Sequence, residues 1–248
     1  MHRHRIPTSF TSGLRTNHPA FGVAGSGVIA AGMMVSAALY RGAQGERYSI
    51  LNHFVSELGH VGVAQAAPVF NAGLILGGLL LLPFIIGLAL SLNSRCSKLA
   101  MVAGIIAAVS ATLVGLFPMN VLRPHIVAAM TYFRFGLLTI VLFGVAISRQ
   151  PHGSEVVDRR VNWIGALAGL AYASFLGYMG FSRAGPSQFD PSTLSFRPTV
   201  FLPALMEWAV LISTLVWFVT VALGRPTGLA RPVAGEGSAG FGNHDSRR

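Results

Sequence analysis

PVFNAGLILGGLLLLPFIIGLALSL, residues 68–92, contains no Asp, Glu, Lys, Arg or His. At a rise of about 1.5 Å per residue, a helix of this length crosses the roughly 30 Å hydrocarbon core of a bilayer. Asn71 stands near its start, and Pro83 predicts a kink of the kind that a membrane helix tolerates. Similar apolar stretches flank it at Phe21–Tyr40, Lys98–Pro118, His125–Ser148, Val161–Phe181 and Val200–Leu223. The sequence therefore predicts an all-α membrane protein, a bundle of six transmembrane helices over residues 21–223. The polar, Pro-containing ends, 1–20 and 224–248, are read as disordered tails.

Composition agrees with this reading. Of the 248 residues 52% are hydrophobic and only 10% charged, where a soluble domain carries about a quarter charged. The formal charge of +10 does not imply a nucleic-acid partner, because the basic residues collect at the ends of apolar spans with no aromatic and basic recognition pattern. Twelve Lys and Arg fall on the side shared by both termini and five on the other; with Arg134 inside a span they make up the 18. The basic side is expected to face the cytoplasm, which puts both termini inside and the protein in the cytoplasmic membrane. Cys96 is the only cysteine, so neither an intrachain disulfide nor a thiolate cluster is available.

The longest polar stretch between spans one and two includes Tyr48-Ser-Ile-Leu-Asn-His-Phe-Val-Ser-Glu-Leu-Gly-His60. At 100° per residue Ile50, Leu51, Phe54, Val55 and Leu58 share one side of a helix, and Ser49, Asn52, His53, Ser56, Glu57 and His60 share the other. The spacing predicts a short amphipathic helix in the first extracytoplasmic loop, stopped near Gly59, with its Ile50, Phe54 and Leu58 face docked on the outer mouth of the bundle.

With that topology, polar residues gather in the outer half of the bundle. Ser56, Glu57, His60, Asn71, His125, Arg134 and Glu207 are the expected ligand-binding set. Arg134 and Glu207 sit at comparable depth in spans four and six and are expected to pair, since a charge in a bilayer needs a partner. His53, Glu57, His60 and His125 are the metal candidates, because His53 and Glu57 at i, i+4 and Glu57 and His60 at i, i+3 share a helix face. That spacing is also what a solvated polar face shows, and a single Glu-x-x-His is half of what a two-metal bundle needs. No cofactor is specified, and no oxyanion hole or nucleophile elbow is legible around Ser56.

Asn52-His-Phe-Val-Ser-Glu-Leu-Gly59 resembles a segment of a multi-pass membrane family known as domain of unknown function 998, whose members show a similar Ser-Glu-Leu-Gly after the first helix. Phe70-Asn71, Gly115-Leu-Phe-Pro118, His125, and Glu207 with Trp217 are similar to that family's pattern, whereas Trp208 stands where the pattern has a basic residue. The resemblance covers about residues 22–223 and implies six helices with no assigned chemistry. The leading expectation is a non-catalytic membrane protein whose outward pocket binds a lipid headgroup or small amphiphile, or an accessory subunit of a membrane complex. The alternatives are a metal-assisted hydrolase or remodeller of outer-leaflet lipids, and a transporter or proton relay through Arg134 and Glu207. The expected partners are membrane lipids and subunits of a membrane complex.

Overall fold

The computed structural model describes residues 8–181 and 198–224. It contains six long helices: α1 (Thr8–Leu39), α2 (Ala67–Leu92), α3 (Arg95–Leu116), α4 (Leu122–Ser148), α5 (Val161–Phe181) and α6 (Leu202–Leu223). All six are long and apolar enough to cross a membrane, and no strand occurs among the described residues. Five of the helices start within three residues of the spans read from the sequence. The first does not: α1 begins at Thr8 and runs through Pro19, so residues 8–20 extend the first span and are not a tail. This stretch lacks an apolar period, but His18 is buried beside the ring of Phe84 on α2, and tertiary packing carries the helix past the hydrophobic boundary. The expected tails at 1–7 and 225–248, and most of the loop before α6, lie outside the described residues.

Local chemistry sets the turns. Asn93 takes a left-handed backbone (φ 44°) to end α2, and Ser94 caps α3 by accepting from the Ser97 N–H at 3.0 Å while its own N–H donates to Ser97 Oγ at 2.9 Å. Pro68 and Pro203 occupy the first turns of α2 and α6, where a missing N–H costs nothing.

Each helix packs on its neighbours in sequence, and α6 packs on α1, so the six form a closed ring. The α1–α2 seam is tight because glycines face each other across it. A Cβ on Gly32 would stand 3.3 Å from the Gly73 Cα, and one on Gly25 would stand 3.0 Å from the Gly77 carbonyl. Of the glycines between 165 and 180, Gly165 meets Trp217, whereas Gly169, Gly177 and Gly180 meet nothing and serve no helix contact. The middle of the ring holds buried aromatic side chains, among them Phe84, Phe133, Tyr172, Trp217 and Phe218.

Candidate functional site

The segment between α1 and α2 does not form the expected amphipathic helix. Residues 49–53 make turns, and a five-residue 3-10 helix, Val55–Gly59, follows. The faces differ too. Ile50 and Leu51 are exposed, whereas His53, Ser56 and Glu57 are buried along with Phe54, Val55 and Leu58. The amphipathic reading buried one apolar face; here side chains of both faces are buried, Phe54 and Leu58 together with Ser56 and Glu57.

A 3-10 helix this short leaves backbone groups at both ends without a partner inside it; the Glu57 N–H to Phe54 carbonyl (3.2 Å) and His60 N–H to Glu57 carbonyl (3.1 Å) bonds close its two ends. Buried and unsatisfied, the remaining groups would cost about 1–3 kcal/mol each. Side chains from three helices satisfy them. Glu207 of α6 accepts from the Val55 N–H at 2.7 Å and from both the N–H and the hydroxyl of Ser56. Ser36 of α1 donates to the Leu58 carbonyl at 2.9 Å, and Asn71 of α2 donates to the Gly59 carbonyl at 3.0 Å. Glu57 reaches back to accept from the Phe54 N–H at 2.8 Å. The result is a lid pinned across one end of the ring.

A second layer backs the lid. The Tyr48 hydroxyl donates to the Phe54 carbonyl at 2.8 Å and accepts from Trp208 Nε1 at 2.9 Å. Burial, with a smaller contribution from the Glu207 carboxylate, pushes the Tyr48 phenol well above its ordinary pKa, so it stays protonated. The rings of Tyr40, Tyr48 and His53 pack edge to face or tilted within 5.4 Å of one another. Asn52 donates to the Pro198 carbonyl at 3.0 Å, and the Phe201 N–H donates to the Leu51 carbonyl at 2.8 Å, tying the lid to the start of α6.

Beneath the lid lies a chamber of about 70 Å³ at the centre of the ring. Its floor and walls are mostly apolar, with Gly104, Ala107, Ala108 and Ala111 of α3 leaving the space. Its polar atoms are few: Ser56, His125 and Glu207 below the lid, and the hydroxyls of Tyr132, Thr139, Tyr172 and Thr214 deeper in. Tyr172 can lie across the centre because α4 has Gly136 there; a Cβ at that position would fall 2.5 Å from its hydroxyl. A second cavity of about 220 Å³ shares Ser56, His125, Ala129, Phe133 and Glu207 and extends to Ile126 and Met130 of α4 and Phe175 and Met179 of α5.

His125 Nδ1 lies 2.9 Å from the Phe117 carbonyl, which can only accept, so Nδ1 carries the proton. In the neutral ring Nε2 is then an acceptor. With the Glu207 carboxylate and the Ser56 oxygen, the polar end of the cavities is rich in acceptors, and no Lys or Arg lines either one. Such a site suits a polar group that donates hydrogen bonds.

The sequence-predicted set divides accordingly. Ser56, His125 and Glu207 converge on the cavities; Glu57 and Asn71 hold the lid in place. His60 ends the 3-10 helix and is only partly buried. Arg134 is elsewhere. It is exposed on the outside of α4 and makes no ion pair with Glu207, whose partners are the backbone and hydroxyl of the lid. The expected pair fails because depth along a helix does not fix azimuth, and Arg134 points away from the ring. Among the described residues no three His, Cys, Asp or Glu side chains gather as a metal site requires, and the shared helix face proposed for His53, Glu57 and His60 is absent. Sequence reasoning missed Ser36, Tyr48, Trp208 and the Tyr172 and Thr214 hydroxyls, and left Tyr132, a polar residue of the outer half of the bundle, out of the ligand-binding set. Trp208 left a trace, as the departure from the resembled pattern beside Glu207.

A closed ring of six membrane-length helices, capped by a buried polar lid, defines a multi-pass membrane protein with an enclosed interior. The chain belongs to the family described as protein of unknown function (DUF998), whose model matches residues 28–224. No curated protein and no solved structure matches it.

Proposed function

We propose that the protein binds a slender, single-chain amphiphile, with the polar end at Ser56, His125 and Glu207 and the chain in the apolar chamber. One observation carries the reading: the two adjoining cavities converge on a single cluster of acceptors in otherwise apolar surroundings. Their combined size favours a small amphiphile over a two-chain lipid. The carboxylates of Glu207 and Glu57 disfavour an anionic head, so an alcohol or amine is the expected polar end. The way in runs between α4 and α5, along the second cavity. The loop charges orient the lid end away from the cytoplasm, so the ligand would come from the outer leaflet or beyond it.

The test is mass spectrometry of small molecules that co-purify with the full chain. A stoichiometric single-chain alcohol or amine is expected with the wild type. His125→Ala, Glu207→Gln and the chamber-filling Ala107→Leu should each reduce it tenfold or more, and Glu155→Gln at the far end of the bundle should not. A wild-type protein free of such a molecule in mild detergent, with no binding of added long-chain amine or alcohol, would remove the proposal.

A further inference from the structure

Arg134 stands at the middle of the 30-residue span Met119–Ser148, whereas Arg15, Arg95, Lys98 and Arg123 all lie within about a turn of the ends of their spans. A basic side chain near the end of a span reaches the interface. From the middle, three methylenes and a guanidinium do not cover half of a hydrocarbon core of about 30 Å. Arg134 is exposed on the outside of α4 and forms no ion pair among the described residues. A charge at this depth needs a partner, and the ring does not supply one.

The residues around Arg134 repeat at alternating steps of four and three: Val127, Thr131, Arg134, Leu138, Val141 and Val145. That is the spacing of the seam between two helices packed with a left-handed twist. Val127 is 68% exposed, Leu138 44% and Val141 49%, so the seam has no helix of this chain against it. The Thr131 hydroxyl donates to the Val127 carbonyl at 2.8 Å, which leaves the guanidinium as the polar group at the centre of an apolar stripe. Toward the lid, Val127 and Thr131 border a groove of about 470 Å³ between α3 and α4, lined also by Leu113 and Phe117, which can receive the side chains of a neighbouring helix. An apolar stripe alone would suit lipid; a cation at its centre does not.

The occupant must bring an anion to the middle of the membrane. A second copy of the chain does not. Of its eight Asp and Glu, Glu207 is the one within a described span, and that carboxylate is buried in the mouth of the ring, engaged by Val55 and Ser56. A lipid phosphate resides at the surface, half a core away. We propose that the outer face of α4 is a docking seam for a transmembrane helix of a different membrane protein, one that sets an Asp or Glu opposite Arg134 and apolar side chains along Val127, Leu138 and Val141. Guanidinium and carboxylate pair through two parallel hydrogen bonds, which fix the register of the two helices as well as joining them. The seam is separate from the chamber and independent of what the chamber holds.

The experiment reconstitutes the dye-labelled full chain in phosphatidylcholine vesicles with a labelled Leu-Ala transmembrane helix that carries one central Glu, and reads association by energy transfer. The Glu helix should bind at least tenfold more tightly than its Gln counterpart, and moving the Glu seven residues along the designed helix should remove the preference. Arg134→Gln should abolish it, Arg134→Glu should transfer it to a central-Arg helix, and Arg149→Gln at the end of α4 should leave it unchanged. Leu138→Trp, which crowds the seam beside an intact Arg134, should weaken binding about fivefold and decides the matter even if Arg134→Gln inserts poorly. In the host membrane, a benzophenone side chain at Leu138 should cross-link to a protein with an Asp or Glu in its span, Arg134→Gln should abolish that adduct, and the same probe at Leu170 of α5 should not form it. A wild type that does not prefer the Glu helix, a preference that survives Arg134→Gln, or cross-links from Leu138 to lipid alone overturns the proposal. So does a preference that emerges only in Asp190→Asn, a residue outside the described ones, which would assign Arg134 to the chain's own loop.

Discussion

Glu207 shows how one residue can join two parts of a fold. Its carboxylate takes hydrogen bonds from two backbone N–H groups and one hydroxyl of the lid, all in the buried mouth of the ring. Glu207→Gln replaces one acceptor oxygen with a donor facing other donors, so a stability loss of about 1–3 kcal/mol is expected, measured by thermal unfolding in detergent. Tyr48 carries a second prediction at this scale. Its phenol is pushed up by burial, so its neutral form is the one the fold favours. The linked stability is fully present below the unfolded tyrosine pKa of about 10 and is lost as pH rises above it. In a spectroscopic titration, wild type minus Tyr48→Phe should show no tyrosinate step near pH 10 while the protein is folded. A step there would put the hydroxyl in water and remove the Trp208–Tyr48–Phe54 chain of bonds.

Among the elements, the lid is the one whose form the local sequence does not dictate. Ser-Glu-Leu-Gly has the right residues, and Gly59 is required by close approach: a Cβ there would stand 2.3 Å from Asn71 Oδ1 and 2.9 Å from the Phe70 ring. Asn71 has no freedom to retreat, because its amide nitrogen holds the Gly59 carbonyl. Gly59→Ala should therefore loosen the lid and cost about 1–3 kcal/mol. Gly169→Ala, in a helix position with nothing within 4 Å, should be neutral or slightly stabilising. Equal losses from the two would mean that crowding at the lid is not what Gly59 avoids. The α1–α2 seam follows the same logic over a longer contact, with Gly25 and Gly32 opposite Gly77 and Gly73.

For the whole molecule, six helices each long enough to cross a bilayer predict that the start of α1 and the end of α6 lie on the same side of the membrane. Reporter fusions after Gly45 and after Arg225 should therefore report opposite sides, and the loop charges predict that the second reports cytoplasm. Matching signals from the two would break the six-span topology. Ring closure by α6 on α1 is what makes an interior possible, since an open arc of helices would leave Tyr172 and Thr214 against lipid.

The sequence alone determined the number of spans and nearly all their limits, because a bilayer demands long uncharged helices and that demand is written in composition. It also marked His125 and Glu207, since polar side chains in apolar spans stand out one at a time, and Ser56 within the polar stretch of the first loop. Only the tertiary structure decided which way they point. Arg134 and Glu207 share a depth but not a direction, and the Tyr48 to His60 stretch abandons its helical period because the bundle offers it Ser36, Asn71 and Glu207 as hydrogen-bond partners. Azimuth and partner choice depend on residues far apart in the chain, and a local pattern carries no information about either.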